Sequence, residues 1–195
     1  LAELTKLRQL CCDPSLLYEN YRGGSAKIAT CLELLRGAIE SGNKVLLFSQ
    51  FTSMLSVLEA HLKKERIGYY KLTGQTSKEE RRRIVSEFGQ KDIPLFLISL
   101  KAGGTGLNLT AANIVIHFDP WWNLAAENQA TDRAHRIGQD STVTVYKIIA
   151  KDSIEENILK LQQRKKGLAE QIISNEGVSI AELTKEDLMN LMESM

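Results

Sequence analysis

The chain has 195 residues, 43% of them hydrophobic, and its 25 basic and 24 acidic side chains leave a formal net charge of +1. That length and apolar content suffice for a sizeable buried core, and the near-neutral balance excludes a global field of the kind that marks a nucleic-acid binder, so any DNA contact has to be local. No run approaches the roughly 18 uninterrupted apolar residues of a membrane span, no charged-then-apolar leader opens the chain, and Cys11, Cys12 and Cys31 form no CxxC pair; the expectation is a soluble intracellular protein with reduced thiols.

The opening run LAELTKLRQL spaces Leu1, Leu4 and Leu7 as a helix does and reads as though it began mid-helix. Apolar runs of strand length then alternate with amphipathic runs of helix length, the pattern of βαβ units and of a parallel sheet covered on both faces, so the class is α/β. Strands are expected at Val45 to Ser49, Tyr69 to Leu72, Pro94 to Ser99, Ile114 to Phe118 and Val143 to Ile149. Ser77 with Glu80, and Ser153 with Glu156, fit the capping box that opens a helix. The second of these starts a long terminal helix carrying Ile154, Ile158, Leu161, Leu168 and Ile172 at mostly helical spacing. Asn175 to Gly177 break that pattern, and Thr184 with Asp187 can start a last short helix.

In an open parallel sheet, ligands gather outside the carboxyl ends of the strands, so the informative loops follow Ser49, Leu72, Ser99 and Phe118, together with the residues near Gln129. The run SLKAGGTGLNLT has three glycines in four positions, which lets backbone amides approach an anion, although an isolated glycine-rich run is more often a plain turn. No P-loop is present: the nearest match, from Gly37 to Gly42, has Asn43 where lysine is needed and precedes a strand. No acidic pair follows a strand to hold Mg²⁺, so the chain is not expected to cleave a nucleotide unaided. In QATDRAHRIGQ, Gln129, Arg133 and Arg136 fall at i, i+4 and i+7 and would project from one helix face. Arginine stays charged and presents a planar fork matched to phosphate oxygens, which suits charge developing on a transferring phosphoryl group. The ordinary alternative is an ion pair of Arg136 with Asp132, worth a few tenths of a kcal/mol, with His135 structural.

Taken in order, LRQLCCDP, SAKI, VLLFSQF, LTGQTSKEERRRIVSEF, LISLKAGGTGLNLTAANIVIHFDPWWN and QATDRAHRIGQDSTVTVYKII resemble the second lobe of SWI/SNF-family helicase-like ATPases over essentially the whole chain. The resemblance implies a three-layer RecA-like domain with a mostly parallel sheet over 25–150, a helical lead-in from the preceding lobe over 1–24 and brace-like helices over 151–195. It implies ATP with Mg²⁺ bound mainly by an N-terminal RecA-like lobe, with Gln129, Arg133, Arg136, Asn108 and Gly106 of this lobe on the nucleotide and Arg136 as the arginine finger. It implies double-stranded DNA on a track of Ser49, Gln50, Thr73, Gly74, Ser99, Lys101, Gly103 and Trp122, and translocation that remodels a DNA-bound protein. A strand-separating helicase and a catalytically silent DNA-binding or interaction module are the alternatives. CDP in place of asparagine-histidine-proline points to a bacterial or archaeal source; Leu124, where the family often has proline, touches no charge-bearing site.

Overall fold

The computed structural model of the chain describes residues 2–103, 107–134 and 142–173. Five strands, β1 (Val45–Ser49), β2 (Tyr69–Leu72), β3 (Leu95–Ser99), β4 (Ile114–His117) and β5 (Thr144–Lys147), form one sheet in the order β2-β3-β1-β4-β5. Every neighbouring pair is parallel, so the sheet is wholly rather than mostly parallel. The central strands read VLLFS and LFLIS and are buried along their full length, because helices cover both faces. The outer strand β5 is shorter than expected and its four residues are exposed.

Side chains alternate between the two faces. Val45 and Leu47 of β1, with Leu95, Leu97 and Ile116, pack under α2 (Ala26–Glu40) and α3 (Thr52–Lys64) through Ile28, Cys31, Leu35, Leu55, Leu58 and Leu62. Leu46 and Phe48, with Phe96, Ile98 and Val115, pack under α4 (Lys78–Gln90) and α6 (Leu124–Thr131) through Ile84, Phe88 and Ala130. A single turn, α5 (Leu100–Gly103), follows β3 directly. The layers are therefore helix, sheet and helix, which is the arrangement expected of a RecA-like domain.

Two helices lie apart from these layers. Leu4 of α1 (Ala2–Cys12) meets Ile154, Ile158 and Leu161 of α7 (Ile154–Ile173), with Leu7, Cys11 and Trp122 at the margin. These three apolar positions of the long helix are thus covered, not left as an open stripe. The side chains of Leu168 and Ile172, and the short helix expected near Thr184, lie outside the described residues.

Half of the capping box holds for α4: Ser77 Oγ accepts from the Glu80 amide at 3.2 Å, but the Glu80 carboxylate accepts from Arg83. At α7 the box shifts by one residue: Ser153 Oγ accepts from the Glu155 amide (3.1 Å) and the carboxylate that folds back, onto the Ala150 amide at 2.8 Å, is that of Glu155. The reason is Lys27, whose ammonium draws Glu155 inward at 2.6 Å while both side chains are buried. The three cysteines are free, and burial pushes the Cys31 thiol up to about 12. Among the described residues no helix is long and apolar enough to cross a membrane.

Candidate functional site: the carboxyl edge of the sheet

Because all five strands run the same way, the loops singled out in the sequence emerge along one edge. Across it come Thr73 after β2, Leu100–Gly103 after β3, Gln50 after β1 and Phe118–Trp122 after β4.

The first loop is a turn in which the Thr73 amide donates to Thr76 Oγ1 (3.0 Å) and the Gln75 amide to Thr73 Oγ1 (3.3 Å). Gly74 is exposed at its tip, with open space where a side chain would be. In the second, Lys101 is exposed, and the Ala102 carbonyl beside Gly103 accepts from Arg81 Nη2 of α4 at 2.5 Å. Arg81 was not singled out by sequence, since nothing in KEERRR separates the arginine that turns toward the loop from the two that do not.

Two of the expected DNA residues need correction. Ser49 and Ser99 are 1% and 3% exposed, so neither offers its hydroxyl to a ligand above the edge. Ser49 Oγ instead donates to Asp119 Oδ1 (2.5 Å) and accepts from the Phe51 amide (3.1 Å), while Asp119 Oδ2 accepts from the Gln50 amide (3.2 Å). Asp119 sits at the end of β4, and burial raises its carboxyl against the pull of the Ser49 hydrogen bond and of Lys27 and Arg8. The Gln50 side chain is turned inward as well, its Oε1 accepting from Arg8 Nη1 at 2.7 Å.

Trp122 does not stand clear of the edge. Its ring stacks on Trp121 at 5.0 Å, lies 4.5 Å from the Arg8 guanidinium carbon and borders the cluster between α1 and α7. Beside it, buried Glu127 of α6 accepts through Oε2 from the Trp121 amide (3.1 Å) and from Gln162 Nε2 of α7 (3.2 Å), while its Oε1 is ion-paired with Lys147 of β5.

The nucleotide-side residues divide between two elements that touch. Asn108 is exposed between buried Leu107 and Leu109, and the Leu109 amide donates to the Arg133 carbonyl at 3.0 Å. Gln129 is exposed on α6, but that helix ends at Thr131. The next amides close tighter turns, Arg133 to the Ala130 carbonyl (3.2 Å) and Ala134 to the Thr131 carbonyl (3.0 Å), and Arg133 is buried. The expectation of one continuous helical stripe therefore stops at Gln129. Arg136, His135 and Gly106 lie outside the described residues. Beneath the turn, His117 Nε2 is 3.0 Å from Thr131 Oγ1 and its ring stacks on Phe48 at 5.5 Å; burial pushes its pKa down to about 4, so it is neutral at pH 7.

Comparison with known proteins follows the same lines. Residues 26–138 match the family described as helicase conserved C-terminal domain. The chain is 44% identical over 197 residues to an uncharacterized ATP-dependent helicase of Mycoplasma pneumoniae, covering 99% of this chain and 19% of that protein. It is 42% identical to the putative ATP-dependent helicase/translocase YwqA of Bacillus subtilis, covering 98% of this chain and 21% of that one. The chain thus spans about a fifth of the length of these relatives. Among solved structures, the C-terminal domain of the Sulfolobus solfataricus SWI2/SNF2 ATPase is similar at a TM-score of 0.73 and 34% identity, covering 97% of this chain and 79% of that one. The core of that ATPase in complex with double-stranded DNA is similar at a TM-score of 0.75 and 36% identity, covering 97% and 41%.

Proposed function

Because the chain belongs to the helicase conserved C-terminal domain family, in its SWI/SNF-type branch, with the RecA-like fold of that branch, we propose that it is one half of a DNA-dependent ATPase that translocates on double-stranded DNA and remodels protein–DNA complexes. The observation that carries this reading is the carboxyl edge itself. One line of loops holds the exposed Lys101, two residues before Gly103, while the Leu109–Arg133 hydrogen bond joins the Asn108 loop to the turn that carries Arg133.

In this reading 25–150 is the lobe proper, 1–24 its lead-in and 151–195 its brace. Gln129 and Asn108 are exposed and reach the nucleotide, Asn108 at its ribose; Arg136 stabilises charge on the phosphates as the finger, Arg133, buried in this lobe, joins it only as lobe closure uncovers it, and Gly106 belongs to the same nucleotide-binding set. The nucleotide, with its Mg²⁺, supplies the phosphoryl group and is held mainly by an N-terminal RecA-like lobe. Lobe closure brings the two sets of groups together. Thr73, Gly74, Lys101, Gly103 and the turn at Gln50 follow the DNA backbone, contacts that carry no sequence information and weaken with salt. Ser49 and Ser99 serve that track from below, and Trp122 supports it through Arg8. Such work is done where the DNA is, in the cytoplasm or nucleoid of a prokaryotic cell.

The test is steady-state ATP turnover by the full-length parent chain, with and without duplex DNA. Arg136→Ala is expected to lose on the order of 10³-fold or more of the DNA-stimulated rate, the range of arginine fingers, and residues 1–195 alone are expected to be silent. Normal turnover by Arg136→Ala would reduce that residue to an ion-pair role and remove the half-site reading.

A further inference from the structure

The turn after β1 is gripped by a residue 42 positions earlier in the chain. Arg8, on α1, is 2% exposed. Its Nη1 donates to Gln50 Oε1 at 2.7 Å, its Nη2 to the Pro120 carbonyl at 2.6 Å, and Nη2 lies 4.0 Å from Asp119 Oδ2. The guanidinium carbon is 4.5 Å from the Trp122 ring and 5.6 Å from that of Phe51. Asp119 also accepts from the Gln50 main-chain amide, so backbone and side chain of Gln50 are held from one buried cluster. The Gln50 Nε2 is buried and has no hydrogen-bond partner among the described residues, which leaves Arg8 alone to set how that amide is turned.

Apolar packing alone does not account for this arrangement. Taking a guanidinium out of water is costly, and a hydrophobe of similar volume would pack α1 against Trp122 and Phe51 without that cost. What a hydrophobe cannot do is bond two loop ends at once in a fixed geometry. Arginine's rigid fork does so, joining the end of β1 to the end of β4.

We propose that Arg8 is a positioning residue for DNA engagement, acting through Gln50: α1 sets the conformation of the Gln50 turn, and with it the affinity of this edge for the DNA backbone. The inference rests on the reading of that edge as a DNA track.

The experiment is a double-mutant cycle in the full-length parent chain, with Arg8→Lys, Gln50→Ala and the pair, reading DNA-stimulated ATP turnover against duplex concentration. Arg8→Lys keeps the charge and the stem but loses the fork. It is expected to raise the DNA concentration for half-maximal stimulation about tenfold, the scale of one charge-assisted hydrogen bond, with the ATP concentration for half-maximal turnover unmoved. In the Gln50→Ala background the same change is expected to add nothing, because the group it acts through has gone.

Multiplying effects, or an unmoved DNA dependence in Arg8→Lys or in Gln50→Ala, would overturn the inference while wild-type DNA stimulation leaves the underlying reading in place. Absence of DNA stimulation in the wild type removes that reading, and the inference with it. Should Arg8→Lys not fold, Arg8→Met, which keeps an unbranched stem to pack against Trp122 and Phe51 but offers no donor to the Gln50 oxygen, takes its place with the same outcomes.

Discussion

His117 shows how a single side chain can tie stability to pH without touching any ligand. It lies on β4 at 2% exposure, stacked on Phe48 and 3.0 Å from Thr131 Oγ1, with Glu127 and Lys147 as the charges that reach it. Burial is the main reason its pKa falls to about 4, against an ordinary value near 6.5. The unfolded chain therefore takes up a proton as the pH drops through 6.5 while the folded chain stays neutral. This group's contribution is complete above pH 6.5 and is lost progressively as the pH falls toward 4, by an amount on the order of 3 kcal/mol at the lower end. Urea unfolding of the chain at a series of pH values between 7 and 4 should show that decline, and His117→Gln should flatten it. An equally steep decline in the variant would assign the effect to other groups.

At the level of elements, the strands were legible because parallel strands covered on both faces must be continuously apolar, and VLLFS and LFLIS are that. The loops at their ends were legible for the same reason: once the strands are parallel, Thr73, Lys101 and Gln50 have to share an edge. What could not be read were the ties across it. Arg8 lies 112 residues from its Pro120 partner and Lys27 lies 128 from Glu155, and no local periodicity encodes a pairing over that distance. The turn after Thr131 was missed because helical spacing continues in the sequence after the backbone has tightened. The pairing of α1 with α7 is testable as an element. Ile158, 1% exposed, fills the contact with Leu4, so Ile158→Ala should cost about 2–5 kcal/mol through the cavity it leaves. Amide exchange in α1 should rise with it. Ser77→Ala removes only an exposed cap on α4, at about 1 kcal/mol, and should leave exchange in α1 as it was; equal loosening of α1 by both variants would mean the two helices are not a separate unit.

For the molecule as a whole, a net charge of +1 and a proposed grip on DNA are compatible only if the grip is a short line of contacts. A uniformly basic surface would attract DNA at long range and give a steep salt dependence; a near-neutral one has to rely on the few cations placed where the backbone passes. Lys101 is the exposed cation on the turn that begins directly where β3 ends, beside the carbonyl that Arg81 holds in place. Each phosphate neutralised releases counterions and contributes about 0.9 to the slope of log affinity against log salt for duplex DNA. Lys101→Ala in the parent chain should therefore lower that slope by about 1 and weaken binding to all duplex sequences alike. Arg83, exposed on α4 but paired with Glu80 and Glu87, is the matching control, because its charge is already balanced within the helix. Measured by titrating labelled duplex at several salt concentrations, an unchanged slope for Lys101→Ala would place the DNA path elsewhere on the lobe. A slope lowered equally by Arg83→Ala would mean that affinity follows overall charge, not the carboxyl edge of the sheet.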